Sequence, residues 1–199
     1  MDAGFWNERY GTSERLWSGN PHSQLPEIVA GMQPGSALDI ACGEGADALW
    51  LAEQGWNVTA VDFSSVAIER ARRAASERAL QVEFKVADLD VWVPKASFDL
   101  IVEFYLHVEP ERSTSLHRRL QPFVREAGKY LTVGHHPDHA QQGMQGPPGY
   151  FLFRPEDLET DFSELTTIRA ERVENPANER HSVDTIYLGQ RRPSRNPGF

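Results

Sequence analysis

The chain has 199 residues, 40% of them hydrophobic and 25% charged, and carries a net charge of -9. That length suits one domain with a proper buried core, and the composition excludes a disordered chain. The acidic balance repels nucleic-acid phosphates and anionic membrane surfaces, so neither nucleic acid nor membrane is expected as a partner.

Cys42 is the single cysteine, so no intrachain disulfide is available and a reducing, cytoplasmic setting is expected. The first ten residues, Met1 to Tyr10, lack a basic head followed by an apolar stretch, which argues against a signal peptide. No run approaches the roughly 18 to 20 apolar residues of a membrane span.

In chain order, Leu25, Ile28, Val29 and Met32 fall at helical spacing, and Pro34-Gly35 ends that helix. Ser36 to Ala41 reads as a short buried strand, and Ala46 to Gln54 as the helix after a glycine turn, with Gly55 as its left-handed cap. Trp56 to Val61 is a second strand. Ser64 or Ser65 caps a helix that carries Ala67, Ala71, Ala74 and Ala75 on one face. Val82, Phe84 and Val86 alternate in a third strand ending at Asp88, and Phe98 to Phe104 is a nearly all-apolar, central fourth. A helix from about Pro110 to Phe123 precedes a fifth strand, Tyr130 to Gly134. Residues 135–153 read as a long, functional loop rich in Gly and Pro. A short helix from Pro155 and two strands, Thr167 to Val173 and Val183 to Leu188, complete the pattern.

Strands and helices alternate five times before the terminal strand pair. The expected fold is α/β, a doubly wound, mostly parallel seven-stranded sheet whose last strand is antiparallel, with ligands at the carboxyl ends of its strands. Residues 1–35 are expected to form an N-terminal helical lid segment, 36–190 the ligand-binding domain, and 191–199 a flexible tail.

Ala37 to Ala41 is an apolar run broken only by Asp39, and it leads into the glycine pair Gly43 and Gly45; Asp62 ends the next strand. Glycine there lets a ligand approach the backbone, and a carboxylate ending the neighbouring strand is placed to accept from a ribose diol. Gly43-x-Gly45-x-x-Ala48 is also a permissive dinucleotide fingerprint. Asp39, four residues before the first glycine, and Glu44 between the glycines oppose a pyrophosphate and suit a cationic sulfonium and ammonium.

The segments 38–45 (Leu-Asp-Ile-Ala-Cys-Gly-Glu-Gly), 58–62 (Val-Thr-Ala-Val-Asp), 86–89 (Val-Ala-Asp-Leu) and 98–102 (Phe-Asp-Leu-Ile-Val) resemble the cofactor half of class I S-adenosylmethionine-dependent methyltransferases. They are most similar to its tellurite-resistance and thiopurine-type small-molecule enzymes. The resemblance implies S-adenosyl-L-methionine as cofactor, S-adenosyl-L-homocysteine as product, and a small-molecule acceptor methylated at oxygen, nitrogen, sulfur or a metalloid. It implies that Asp39 orients the methionine end, that Gly43 and Gly45 pass beneath it, and that Asp62 binds both ribose hydroxyls. Phe63 would lie against the adenine, Asp88 accept from its amino group, Leu89 supply a backbone contact, and Phe104 offer a carbonyl to the ammonium. Ala46-Asp47 departs from the Arg-Asn common after the second glycine in the tellurite-type pattern, which weakens an oxyanion-handling role.

Cys42 reads as a small buried residue, and His135, His136, Asp138 and His139 as a polar loop; no metal is expected. His107 and His135 follow the fourth and fifth strands and are the candidates for accepting a proton from the substrate. Phe5, Trp6, Tyr10 and Trp17 precede the first strand. Trp17 is the candidate for shielding the sulfonium, with the Gln141 to Phe153 loop completing a lid. Two other classes stay open: a nicotinamide-dependent oxidoreductase on a similar sheet, and a non-catalytic S-adenosylmethionine-binding module. A monomer or homodimer is expected.

Overall fold

A computed structural model of the chain describes residues 3–13, 15–106, 108–141, 152–175 and 182–193. In chain order the elements are α1 (Ala3–Gly11), α2 (Gln24–Val29), β1 (Ser36–Ile40), α3 (Ala46–Glu53), β2 (Asn57–Asp62), α4 (Ser65–Glu77), β3 (Val82–Val86) and β4 (Phe98–Phe104). They continue with α5 (Pro110–Leu120), a 3-10 turn (Gln121–Phe123), β5 (Val124–His135), α6 (Pro137–Gln141), α7 (Pro155–Asp161), β6 (Leu165–Asn175) and β7 (Ser182–Arg191). The strands form a seven-stranded sheet in the order β3-β2-β1-β4-β5-β7-β6, with β7 antiparallel to both of its neighbours. This is the α/β architecture expected from the sequence. Two compact units emerge, Met1–Val93 with Val102–Leu106, and Pro94–Ile101 with His107–Phe199.

In the first unit β1 pairs parallel with β2 from Ser36↔Asn57 to Ile40↔Val61, and β2 pairs parallel with β3. Four of the five β1 residues are buried, which explains why the run shows no alternation. In α4 the buried residues are Ala67, Ile68, Ala71 and Ala75, a narrow apolar stripe at helical spacing. Ser64 caps that helix, its Oγ accepting from the Ala67 N–H at 3.1 Å, a contact worth about 1 kcal/mol. The same hydroxyl donates to Asn7 Oδ1 at 2.7 Å, which also accepts from Val66 N–H, so α1 is fastened to the start of α4. Trp6, Tyr10 and Ala67 form a buried apolar cluster with Leu16, Phe63 and Val66 against it.

The second unit is built on the antiparallel β5-β7-β6 ladder. The fifth strand is longer than the apolar run Tyr130 to Gly134 suggests, because its first half alternates little and is largely exposed. Ala127 there has a φ of 61°, and its carbonyl accepts from Gln190 Nε2 at 2.9 Å. Residues 137–141 form a short helix where a loop is expected, because Pro137 starts a turn in which His139 N–H reaches the His136 carbonyl at 2.9 Å. Of the long loop only this start and the segment from 152 onward belong to the described residues, and the tail beyond 193 lies outside them.

A buried polar link joins α5 to α7. His117 Nδ1 lies 3.0 Å from Asp161 Oδ2, which also accepts from Thr114 Oγ1 at 3.1 Å, and His117 Nε2 lies 3.4 Å from Ser113 Oγ. The order Ser–His–Asp matches a nucleophilic triad, but Ser113 and His117 are fully buried beneath Tyr130, Phe153 and Phe162. No substrate reaches that hydroxyl, so the link is structural. Asp161→Ala strands a buried imidazole and is expected to cost roughly 3 kcal/mol in a urea titration, while ligand binding in the first unit survives.

Candidate functional site

The site is assembled at the carboxyl ends of β1, β2 and β4 within the first unit. The chain leaves β1 through Ala41 at a φ of 54° and turns through Gly43 at 52° and Gly45 at 80°. Cys42 N–H bonds the Val61 carbonyl at 3.1 Å and Gly45 N–H bonds the Cys42 carbonyl at 2.8 Å. A Cβ on Gly43 would stand 2.8 Å from the Tyr10 hydroxyl, so this glycine admits the close approach of Tyr10 to the turn. A Cβ on Gly45 would meet Ala71 at 2.9 Å and the Phe84 ring at 3.2 Å; close packing of α4 and β3 demands this glycine.

Asp62 ends β2 and ties this turn together. Its Oδ2 accepts from Gly43 N–H at 2.9 Å and its Oδ1 from Ser64 N–H at 2.8 Å. Burial raises its pKa, and the N–H groups of Ser64, Gly43 and Phe63 pull it back. The carboxylate retains acceptor capacity for a further donor.

Asp39 is buried within β1, and its Oδ2 has no hydrogen-bond partner. Burial, then the neighbouring charge of Asp47, push its pKa well up, against the Ala48 N–H that favours the carboxylate. An unsatisfied buried carboxylate oxygen is costly, and it is the arrangement expected where a ligand supplies the missing donor. Burial also pushes the Cys42 thiol up, with Asp39 and Asp62 adding to the effect, so it is not an activated thiolate.

Glu44 departs from the sequence expectation. Its carboxylate does not await a cationic ligand: it accepts from the N–H groups of Leu16 and Trp17 at 3.1 Å each and pairs with Arg70 Nη1 at 2.8 Å. It therefore clamps residues 16–17 onto the glycine turn. The Trp17 indole N–H donates to the Tyr10 hydroxyl at 3.3 Å, and both groups lie over Gly43. Burial, then the charge of Asp62, raise the Tyr10 pKa, so its hydroxyl stays protonated.

The remaining expected residues take more varied places. Phe63 packs on the Trp6–Tyr10 cluster. Asp88 is exposed, and its Oδ1 accepts from Asp90 N–H at 2.9 Å in the turn that contains Leu89. The Phe104 ring stacks on His22 at 4.6 Å and 13°. His107 lies outside the described residues. His135 belongs to the second unit, where its Nδ1 lies 2.8 Å from Asp184 Oδ1 and its ring stacks on His139 at 4.3 Å. Burial lowers the pKa of His136 and of His139. Among the described residues no group of three His, Cys, Asp or Glu is arranged to hold a metal ion.

Sequence reasoning missed Asp47, His22 and Tyr105. Asp47 Oδ1 accepts from His22 N–H at 2.6 Å, and burial raises its pKa. His22 Nε2 lies 3.3 Å from the Tyr105 hydroxyl, and Tyr105 sits at a φ of 53°. A lone His in an aperiodic segment gives no signal; a Tyr directly after an apolar strand is a weak one.

Residues 37–128 match a family model described as a methyltransferase domain. The chain is 41% identical over 76 residues to a 2-heptyl-1-hydroxyquinolin-4(1H)-one methyltransferase of Mycobacteroides abscessus, covering 37% of this chain and 34% of the relative. It is 33% identical over 73 residues to a thiopurine S-methyltransferase of Pseudomonas entomophila, covering 35% and 34% respectively. Its matches thus span about a third of the length of these curated relatives. Among solved structures, an N-methyltransferase, NodS, from Bradyrhizobium japonicum in complex with S-adenosyl-L-homocysteine superposes with a TM-score of 0.76 at 17% identity. That superposition covers 96% of this chain and 99% of the other.

Two outcomes test this geometry. Asp39 has a folded-state pKa above the ordinary carboxylate value, so its contribution to stability is greatest below about pH 4 and is lost as pH rises toward that folded-state value. Asp39→Asn is therefore expected to stabilise the ligand-free protein at pH 7.5, on the order of 1 to 2 kcal/mol by urea titration, with less effect at pH 4. Glu44→Ala is expected to speed amide exchange at Leu16 and Trp17 at least tenfold, read by hydrogen–deuterium exchange, with β1 and β2 unchanged.

Proposed function

We propose, from the match of residues 37–128 to a methyltransferase domain model and from the class I methyltransferase fold, transfer of a methyl group from S-adenosyl-L-methionine to a small-molecule acceptor. The observation that carries this reading is the buried, unpartnered Asp39 oxygen in the strand that leads into the glycine turn. A pyrophosphate would meet that carboxylate at an energetic loss, whereas an ammonium supplies the missing donor and a sulfonium a favourable charge. The same point weighs against a nicotinamide cofactor.

The residues fit the cofactor in order. Asp39 holds the methionine end, Gly43 lets it pass close to the backbone, and Asp62 takes the ribose hydroxyls on lone pairs its backbone donors leave over. Asp88, Leu89 and Phe63 border the adenine, and the Phe104 carbonyl receives the ammonium. Gly45 supports the turn by packing. S-adenosyl-L-methionine supplies an electrophilic methyl on a cationic sulfur. The chain's own part is alignment and exclusion of water, which Tyr10 and Trp17 serve from above Gly43. Residues 1–35 then act as the lid of the 36–190 domain.

For acceptors that carry a proton, His135 is the proposed proton acceptor. Asp184 Oδ1, 2.8 Å from its Nδ1, orients the ring. His107 is the second candidate. The two relatives act, by their names, on a hydroxyquinolone and on thiopurines, and a hydroxyl or thiol acceptor follows for this chain by similarity. Among the described residues no helix is long and apolar enough to cross a membrane. We place the protein in the cytoplasm on its single cysteine, working as a monomer or homodimer without a nucleic-acid partner.

Isothermal calorimetry tests the cofactor assignment. The wild-type protein is expected to bind S-adenosyl-L-homocysteine and not NAD. Asp62→Asn, which keeps one acceptor oxygen, is expected to weaken that binding about 10- to 100-fold. NAD binding without S-adenosyl-L-homocysteine binding would sink the reading.

A further inference from the structure

Two carboxylates meet at the first turn of α3. Asp39 belongs to β1 and Asp47 is the second residue of α3, and the glycine turn between these elements brings them together. Ala48 N–H, next to Asp47, donates to the Asp39 carboxylate. Asp39 is 2% exposed, and its Oδ2 has no hydrogen-bond partner. Asp47 is partly buried, and its Oδ1 accepts from His22 N–H at 2.6 Å. Among the described residues no basic side chain acts on either carboxylate.

The groups around this pair are mostly acidic. Asp62 ends β2, Cys42 lies in the turn, and Glu103 is buried in β4, on the other side of β1. Arg70 is engaged by Glu44 and by the Ser13 carbonyl. The His22 imidazole faces Gln24 N–H through Nδ1 and the Tyr105 hydroxyl through Nε2, while its backbone N–H is what meets Asp47.

Two neighbouring buried carboxylates without a cation do not both ionise at neutral pH. Burial pushes both up, and the charge of Asp47 pushes Asp39 up further. An ammonium set against Oδ2 reverses this balance, because an opposite charge close by favours the ionised form.

We propose that Asp39 and Asp47 share one proton in the ligand-free protein and that the cofactor's ammonium displaces it to solvent. This rests on the methyltransferase reading and deepens it. The O–H bond of the shared carboxyl breaks with its electron pair left on oxygen, the proton passes to buffer, and an N–H of the ammonium takes its place. Asp47 acts through Asp39 and is a positioning residue: its charge keeps Asp39 protonated until a cation arrives. Proton loss from the ligand-free pair removes the competitor of the ammonium, so cofactor affinity rises with pH until the ligand-free pair is itself ionised.

Calorimetry with S-adenosyl-L-homocysteine, run in phosphate and in Tris, counts the proton from the difference in buffer ionisation heat. The wild type is expected to release about one proton per ligand near neutral pH and to bind roughly five- to tenfold tighter at about pH 7 than at about pH 6. Asp39→Asn, which cannot ionise, should bind more weakly and equally at the two values. Asp47→Asn keeps an acceptor for His22 N–H and should move the rise down by about one pH unit. An infrared difference spectrum between ligand-free wild type and Asp39→Asn should show a protonated carboxyl band, which decides the case even where the variant no longer binds. Wild-type binding with no proton released and no pH dependence overturns the inference and leaves the cofactor reading standing. The wild-type rise retained in Asp39→Asn overturns it too, since the proton then comes from another group such as His22. An Asp47→Asn profile identical to wild type overturns the sharing. Wild-type protein that fails to bind S-adenosyl-L-homocysteine removes both readings.

Discussion

The site depends on one carboxylate bridging two backbone amides. Asp62 reaches from the end of β2 to Gly43 N–H in the turn after β1 and to Ser64 N–H at the start of α4. Three chain segments are thereby fixed relative to one another by charge-assisted hydrogen bonds, which run about twice as strong as neutral ones. The turn holds two glycines and Ala41 in left-handed conformations, so it needs such a tie. The capping of α4 by Ser64, and the attachment of α1 through Asn7, both begin at the same place.

Around that tie the unit concentrates negative charge that folding alone does not require. Asp39, Asp47 and Asp62 all have raised pKa values, and burial is the first cause in each case. Evolution discards such groups when they only cost stability, since a carboxylate-to-amide change would remove the penalty. Glu44 is the contrast: it lies in the same turn but is fully engaged by Leu16, Trp17 and Arg70. One acidic residue holds the protein's own chain, and its neighbour Asp39 is left for something else to satisfy.

The fold was legible where burial dictates the residue type. β4 could be bounded to the residue because most of Phe98–Phe104 is buried, and α4 was visible as a helix, without its end, because Ala67, Ala71 and Ala75 fall on one stripe. β5 was legible only in its apolar half, since Arg125, Glu126 and Ala127 are exposed and leave no hydrophobic period. The site was legible as residue types and not as partnerships. Asp39, Gly43 and Asp62 declare themselves by position along strands. Glu44 was assigned to a ligand because its true partners, Leu16, Trp17 and Arg70, lie 26 to 28 residues away. His22 and Tyr105 meet across 83 residues of chain, and the left-handed backbone of Tyr105 leaves no trace in composition.

The outer ladder carries a consequence of another kind. β6 breaks register between Thr167 and Arg169, so Ile168 is extruded and half exposed. Beyond the bulge the strand is laced with charge: Arg169 pairs with Glu171, and Arg172 with Glu174 and Asp138. A flat, apolar edge would offer its unpaired amides and carbonyls to any other strand in reach. Here an incoming strand would have to match a kinked backbone and strip several ion pairs of their water. The irregularity that spoils the ladder is what keeps this border of the sheet from templating the addition of further chains.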